Sequence, residues 1–234
     1  MVNLLIIGPA GSGKTMLTFS FGKWLEKEGY IVNYVNLDPG VENIPFNPNF
    51  DIRKLVRVYE IMKNENLGPN GALIRAAQII EENSKEISEE INSLNGDYII
   101  IDTPGQMEIF LFRDLGPLLS SYLNGRKASI FLIDSSFMRK MSDFITLKLM
   151  SLIVELRLNI PSIEIISKCD LLNNETLLLD TSKTIIGLTQ ELQEVLKMLE
   201  KKKRTIMVSS TKGIGFMELY SAINELFCIC GDLT

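Results

Sequence analysis

Residues Gly8 to Thr15 read Gly-Pro-Ala-Gly-Ser-Gly-Lys-Thr and follow directly on the apolar run Val2 to Ile7. This is the spacing G-x-x-x-x-G-K-[ST] in a strand-then-helix context, and it constrains fold and chemistry together. Gly8, Gly11 and Gly13 allow the tight turn that carries Pro9, Ala10 and Ser12 and aims backbone N–H groups at phosphate oxygens. The helix that starts there adds its positive end. Lys14 has the reach for the β- and γ-phosphates, and Thr15 offers a hydroxyl to Mg²⁺. A glycine-rich turn that bound nothing would have no use for Lys14 and Thr15 side by side.

The rest of the chain repeats this alternation. Short β-rich runs at Val2–Ile7, Ile31–Asn36, Tyr98–Asp102, Ser129–Asp134, Ile163–Ser167 and Thr205–Ser209 are separated by helical patterns. Near-continuous apolar strands with helices between them predict a mainly parallel sheet covered on both faces, an α/β fold. The 234 residues, 46% of them apolar, suit one large domain, 1–234, with helical inserts. The last helix, Gly215 to Cys228, is expected to pack Phe216, Leu219, Ile223 and Phe227 at helical spacing.

Two segments exceed a minimal domain. Residues 51–95 hold two helical stretches broken at Gly68-Pro69-Asn70-Gly71. The second shows apolar positions at Leu73, Ala76, Ile80, Ile87, Ile91 and Leu94. Residues 135–159 carry Phe137, Met138, Met141, Phe144, Ile145, Leu149, Leu152, Ile153 and Leu156. They are apolar on more than one face, as a deeply buried helix or one shared with a partner would be.

Composition excludes several classes. A net charge of −5 argues against a nucleic-acid surface. The basic run Lys201 to Arg204 closes a predicted helix, where cations meet the negative end of the dipole. The chain has no histidine and only three cysteines, which form no disulfide framework. Cys228 and Cys230, near the end of an apolar helix, read as buried thiols before metal ligands. The chain opens on a strand without a basic n-region, unlike a secretory leader. The apolar stretch Phe144 to Ile160 is interrupted by Lys148, Glu155 and Arg157, so no membrane span is predicted and a reducing cytoplasm is the expected setting.

Four further motifs end or follow strands. Asp102-Thr103-Pro104-Gly105-Gln106 places an acid at a strand tip beside the phosphate loop, where it holds Mg²⁺ directly or through water, and the Gly105 N–H can sense a γ-phosphate. Ser167-Lys168-Cys169-Asp170 places a carboxylate where it accepts hydrogen bonds from guanine N1 and the 2-amino group, donors that adenine lacks. The Lys168 stem can cover the ring face. The usual motif starts with Asn or Thr, and Ser167 substitutes a shorter hydroxyl. Ser209-Ser210-Thr211 follows the last strand, where a loop meets the guanine oxygen through backbone N–H groups. Asn36-Leu37-Asp38-Pro39-Gly40 ends the second strand. If that strand abuts the first, Asp38 faces the Mg²⁺ and the γ-phosphate.

Together these residues resemble the GPN-loop GTPase family. The signature is Gly68-Pro69-Asn70 between the Asp38 and Asp102 motifs, with Gly8 to Thr15, Asp38-Pro39, Asp102 to Gln106, Glu108 and Ser167 to Asp170 in agreement. The resemblance spans essentially the whole chain and is closer to the compact archaeal type than to eukaryotic members with long C-terminal tails. It implies a P-loop NTPase fold, Mg²⁺-dependent hydrolysis of GTP to GDP, and a constitutive homodimer. In that dimer each Gly-Pro-Asn loop reaches the other subunit's nucleotide, which puts Asn70 near the γ-phosphate or attacking water in trans. By the same resemblance Gln106 and Asp38 orient that water and Glu108 supports the switch. Arg75, one turn beyond the loop, is a lesser candidate for a charge donor.

Competing readings differ in what the nucleotide drives. One is an enzyme that turns over GTP. Another is a slow GTP-driven assembly factor whose work is client binding, since the resemblance extends to eukaryotic members associated with RNA polymerase assembly. A third, a metal-delivery GTPase, would call for His- and Cys-rich ligands that this chain lacks. A fourth, a small-molecule kinase, would call for an arginine-rich lid.

Overall fold

The structure, a computed structural model, describes residues 1–139, 141–172 and 205–228. Lys201 to Arg204 and Cys230 lie outside the described residues. Seven strands are seen: β1 (Val2–Ile7), β2 (Val32–Asn36), β3 (Phe50–Asp51), β4 (Tyr98–Asp102), β5 (Arg126–Asp134), β6 (Ser162–Ser167) and β7 (Thr205–Met207). They form one sheet in the order β3-β2-β4-β1-β5-β6-β7, with every pair parallel. The expected parallel sheet covered on both faces is therefore what the chain forms. The expected neighbour of β1 is not: β4 lies between β1 and β2. Local patterns specify strands, whereas the order of strands is set by where the crossovers pack. β3 escaped prediction because two residues after Asn-Pro-Asn carry no readable period. Ser209 drops out of β7 because it exchanges both backbone hydrogen bonds with Ile214 instead.

Alternation along the strands divides the core in two. Leu5, Ile7, Val35, Ile99, Ile101, Phe131 and Ile133 face one side. There they meet α2 (Val58–Asn64), α3 (Pro69–Glu82), α4 (Ser84–Asn92), α5 (Met107–Phe112), α6 (Leu115–Tyr122) and α7 (Met141–Leu158). Leu4, Ile6, Ile100, Ile130, Leu132 and Ile165 face the other side, under α1 (Lys14–Lys27) and α8 (Phe216–Phe227). Leu17, Phe21 and Leu25 of α1 are fully buried there. Each contributes about 1.5–3 kcal/mol of burial, which anchors the helix whose first turn faces the site.

Segment 51–95 differs in detail from its prediction. Gly-Pro-Asn is the opening of α3: Gly68 is its N-cap and Pro69 fills the first position, where a missing N–H costs nothing. The second stretch is two helices, parted at Asn83. In α7 the inward stripe is Leu147, Ser151, Val154 and Leu158, at spacings of three and four. Leu156, expected on an apolar face, is 70% exposed. Met141 and Phe144 have side chains outside the described residues. Lys148, read as an interruption of the apolar run, is buried and pairs with buried Glu164 of β6, and it also donates to Thr205 Oγ1 of β7 at 2.6 Å. In α8, Phe216, Leu219 and Ile223 are buried as expected. Cys228 is exposed, which corrects its reading as a buried thiol. The helix ends at Phe227, and the backbone at Cys228 turns to an extended conformation.

Candidate nucleotide-binding site

The carboxyl ends of β2, β4, β1, β5 and β6 lie along one edge of the sheet. The register pairs Asn36 with Asp102, Ile6 with Asp102, and Asp134 with Ser167. Loops leaving such an edge are where open α/β sheets bind ligands. The loop from β1 turns at Gly11 (φ 76°) and Gly13 (φ 96°), both left-handed. Gly13 is the N-cap of α1, so the helix N-terminus opens toward this edge. Gly8 is packed so closely that a Cβ would lie 2.9 Å from the Leu132 carbonyl.

Lys14 is folded back over this loop. Its Nζ donates to the carbonyls of Gly8 at 2.8 Å and Pro9 at 3.2 Å. Burial pushes its pKa down, against the opposing pull of Asp102, Asp38 and Glu108. Thr15 Oγ1 donates to Asp102 Oδ2 at 2.7 Å. Burial pushes the Asp102 carboxyl up to about 7, with Asp38 adding to the effect and Thr15 and Lys14 opposing it. Asp102 Oδ1 and the Ser12 hydroxyl are buried without a hydrogen-bond partner among the described residues.

Asp38 reaches this site although β2 does not adjoin β1. Its Oδ2 accepts the Gly105 N–H at 3.0 Å, and its Oδ1 accepts the Gly40 N–H at 2.8 Å. The alignment of strand ends, with Asn36 level with Asp102, brings the two loops together. Gly105 N–H, the expected γ-phosphate sensor, is thus engaged by a carboxylate of the same chain. Gln106 is the N-cap of α5, and Glu108 lies exposed in its first turn.

The base-reading motif is tied to the phosphate loop. Ser167 Oγ donates to the Ser12 carbonyl at 2.8 Å. Lys168 takes a left-handed backbone conformation (φ 57°), and its Nζ bridges the Gly11 carbonyl at 2.7 Å and Asp134 Oδ2 at 2.6 Å. The Lys168 stem passes 4.0 Å from where a Cβ on Gly13 would stand. Ser135 Oγ donates to the Lys168 carbonyl at 3.0 Å. The Ser209 hydroxyl beside Asp170 holds its carboxyl below the usual range. Ser209 in turn contacts Thr211 Oγ1 at 3.2 Å and accepts the Lys212 N–H at 3.3 Å, so the turn that contains Ser210 sits beside the Asp170 loop.

Asn70 is exposed at the start of α3. Among the described residues, the side chains of Lys14, Thr15, Asp38 and Asp102 hydrogen-bond to Gly8, Pro9, Gly40, Gly105 and one another, and Asn70 is not among their partners. Arg75 pairs instead with Glu65 of its own segment, at 3.5 Å. Sequence reading overlooked Asp134, the carboxylate that holds Lys168. It also overlooked Asn36, Asp51 and Arg53, which brace the Asp38 loop. A carboxylate at the end of a strand beside the Lys168 strand was the available signal for Asp134. Asp51-x-Arg53 offered none, because its partners lie upstream in sequence.

A phosphate loop on the first strand of a parallel sheet, with an acid at the end of the neighbouring strand, defines a P-loop NTPase. The family described as "conserved hypothetical ATP binding protein" matches residues 6–229. GPN-loop GTPase PAB0955 of Pyrococcus abyssi is 34% identical over 249 residues, covering 99% of each chain. GPN-loop GTPase 3 of Dictyostelium discoideum is 34% identical over 197 residues, covering 83% of this chain and 69% of that one. The crystal structure of the apo GTPase PAB0955 superposes with a TM-score of 0.87 at 33% identity, covering 98% of both chains. The chain belongs to the GPN-loop GTPase family. No helix among the described residues is long and apolar enough to cross a membrane. Nor is there, among them, a cluster of three or more His, Cys, Asp or Glu side chains able to hold a metal ion by themselves.

Proposed function

We propose that this protein hydrolyses GTP to GDP and phosphate, with Mg²⁺, as a dimeric nucleotide-driven switch. The observation that carries the guanine reading is the bonding of Ser167 and Lys168 to the carbonyls of Ser12 and Gly11. Base motif and phosphate loop are thereby tied to each other, which supports reading Asp170 as the group that meets the base of a nucleotide whose phosphates lie in the loop. The matching family's description names ATP, but a carboxylate at Asp170 accepts two hydrogen bonds that adenine cannot donate.

The residues fit a divalent cation. Thr15, Asp102 and Asp38 supply hard oxygens, and Asp102 Oδ1 is a buried acceptor with no partner among the described residues. Mg²⁺ needs few protein ligands, since it keeps several waters and takes the rest from substrate phosphates. When bound it would offset charge on the β- and γ-oxygens.

The chain's own groups account for the remainder. The Lys14 ammonium exchanges the Gly8 and Pro9 carbonyls for β- and γ-oxygens. The Gly105 N–H exchanges Asp38 for the γ-phosphate, and this frees the Asp38 carboxylate to orient water with Gln106. Water attacks the γ-phosphorus, the bond to the β-bridging oxygen breaks, and phosphate and GDP leave. Glu108 supports the moving loop. That exchange at Gly105 supplies the switch, because GDP has no γ-phosphate with which to displace Asp38. By resemblance, the switch acts on a client in protein-complex assembly of the RNA polymerase kind, and the nucleotide cycle takes place in the cytoplasm.

Competition of GTP and ATP for the site tests the base assignment. Asp170→Ala is expected to weaken GTP by about 1.5–3 kcal/mol, at least roughly tenfold, and to leave ATP unchanged. Equal affinities for the two nucleotides, unaltered by the substitution, would remove the guanine reading.

The dimer reading rests on the exposed position of Asn70 and on apolar side chains left exposed on the same segment, Leu55, Tyr59 and Ile74. Asn70→Ala and Lys14→Ala chains are each expected to be slow alone. On mixing, one site of each heterodimer keeps both residues, so turnover should recover toward a quarter of wild type, roughly the product of half heterodimers and one intact site in two. Heterodimers shown to form without recovery would refute action in trans, as would a strictly monomeric active species.

A further inference from the structure

The Asp38 loop is held by more than its own turn. Asn36, fully buried at the end of β2, uses its side chain on both sides of Asp38: Oδ1 accepts the Asp38 N–H at 3.1 Å, and Nδ2 donates toward the Asp38 carbonyl at 3.4 Å. The same Nδ2 donates to Asp51 Oδ1 at 2.9 Å. Asp51 is gripped by a guanidinium fork, with Arg53 Nε at 2.9 Å from Oδ1 and Nη2 at 2.6 Å from Oδ2. The remaining arm, Arg53 Nη1, donates to the carbonyls of Glu42 at 2.9 Å and Val41 at 3.3 Å. From the other side the Val58 N–H, at the start of α2, donates to the Pro39 carbonyl at 3.1 Å. The backbone from Asp38 to Glu42 is therefore pinned at four residues by groups outside it, and Arg53 connects the two ends.

Among the described residues, no side-chain hydrogen bond or ion pair joins Asn36, Asp51 or Arg53 to Lys14, Thr15, Asp102, Lys168 or Asp170. Burial alone would raise the Asp51 carboxyl, yet the Arg53 and Asn36 hydrogen bonds outweigh it and hold the carboxyl below the usual range. The clamp is thus a charged, bidentate pair of the kind that fixes geometry as well as charge.

We infer that Arg53, through its fork on Asp51 and its bonds to the Val41 and Glu42 carbonyls, is a positioning residue that fixes the Asp38 loop, so that the carboxylate released from Gly105 is aimed at the attacking water. This rests on the reading of Asp38 as the group that orients water. A clamp of this kind acts on turnover and leaves GDP binding alone, because Asp170, Lys14 and the loop from Gly8 to Gly13, which hold the base and the inner phosphates, are not attached to it.

Steady-state kinetics and binding of fluorescent GDP and GTP analogues to the full chain test this, for Arg53→Ala, Arg53→Lys, Asp38→Asn and the double variant Arg53→Ala/Asp38→Asn. Arg53→Ala should lower kcat on the order of ten- to a hundredfold, the cost of a misplaced reacting group, with GDP-analogue affinity within about threefold of wild type. Arg53→Lys keeps the charge but not the fork, so it should recover only a minor part of kcat. The double variant should be no slower than Asp38→Asn. If Arg53→Ala does not fold, a folded Arg53→Lys chain with wild-type kcat overturns the proposal, and one with reduced kcat and unchanged GDP-analogue affinity supports it. Wild-type kcat in Arg53→Ala beside a slow Asp38→Asn overturns the clamp alone, as do losses that multiply in the double variant. Wild-type kcat in Asp38→Asn overturns the reading of Asp38 itself, and the clamp with it.

Discussion

Lys14→Ala is expected to lower single-turnover GTP hydrolysis by roughly two to three orders of magnitude, with little change in melting temperature. A positioned charge aimed at a reacting phosphoryl group is commonly worth that much. The stability expectation follows from where the ammonium sits. Lys14 is buried, and burial already pushes its pKa down against three nearby carboxylates. Its hydrogen bonds go to two carbonyls of its own loop and join no packing element. Removing it deletes a desolvated charge and leaves the stripe Leu17, Phe21 and Leu25 of α1 untouched. Rapid-quench turnover and a thermal melt on one preparation check both halves. Normal hydrolysis by the variant would end the phosphate-loop reading. An unfolded variant would show that Lys14 belongs to the fold's support rather than to the site.

Lys148→Ala carries the largest expected effect on stability, a loss of about 3–5 kcal/mol. Lys148 is 7% exposed and Glu164 is 4% exposed, and together with Thr205 they tie α7 to β6 and β7. Deleting the lysine leaves the buried Glu164 without its cation, which is why one partner's loss costs more than the pair contributes. The melting temperature should fall on the order of 10 °C for a chain of this size. Lys148→Met combined with Glu164→Leu should recover most of that loss, since apolar replacement of a buried pair is often neutral. Urea midpoints of the single and double variants separate the two cases. Little loss in either variant would mean that α7 is held by its apolar stripe and that the pair is incidental.

What the sequence by itself determined is whatever depends on neighbours within a few residues. Gly8 to Thr15 specified a left-handed turn at Gly13, a helix N-terminus and a lysine and hydroxyl beside it, because backbone freedom and capping are local properties. Near-continuous apolar runs separated by helical patterns specified the parallel strands and the two-sided core, because a strand covered by helices on both faces buries successive side chains on both. Ser167 to Asp170 was readable for the same reason. The strand order was not, because β2 finds β4 through crossovers that bury α-helical faces, and no dipeptide records that choice. The tertiary structure alone decided that Asp38 meets Gly105, that Lys168 bridges Gly11 and Asp134, and that Lys148 is a buried partner of Glu164 rather than a break in an apolar helix. Pairs such as Lys148 with Thr205 and Thr15 with Asp102 form only once the sheet has closed the distance between them. Charge and hydrogen-bonding capacity are written in each residue, but the partner that satisfies them is set by the fold, because an ion or a donor pairs with whatever the chain brings within about 3 Å.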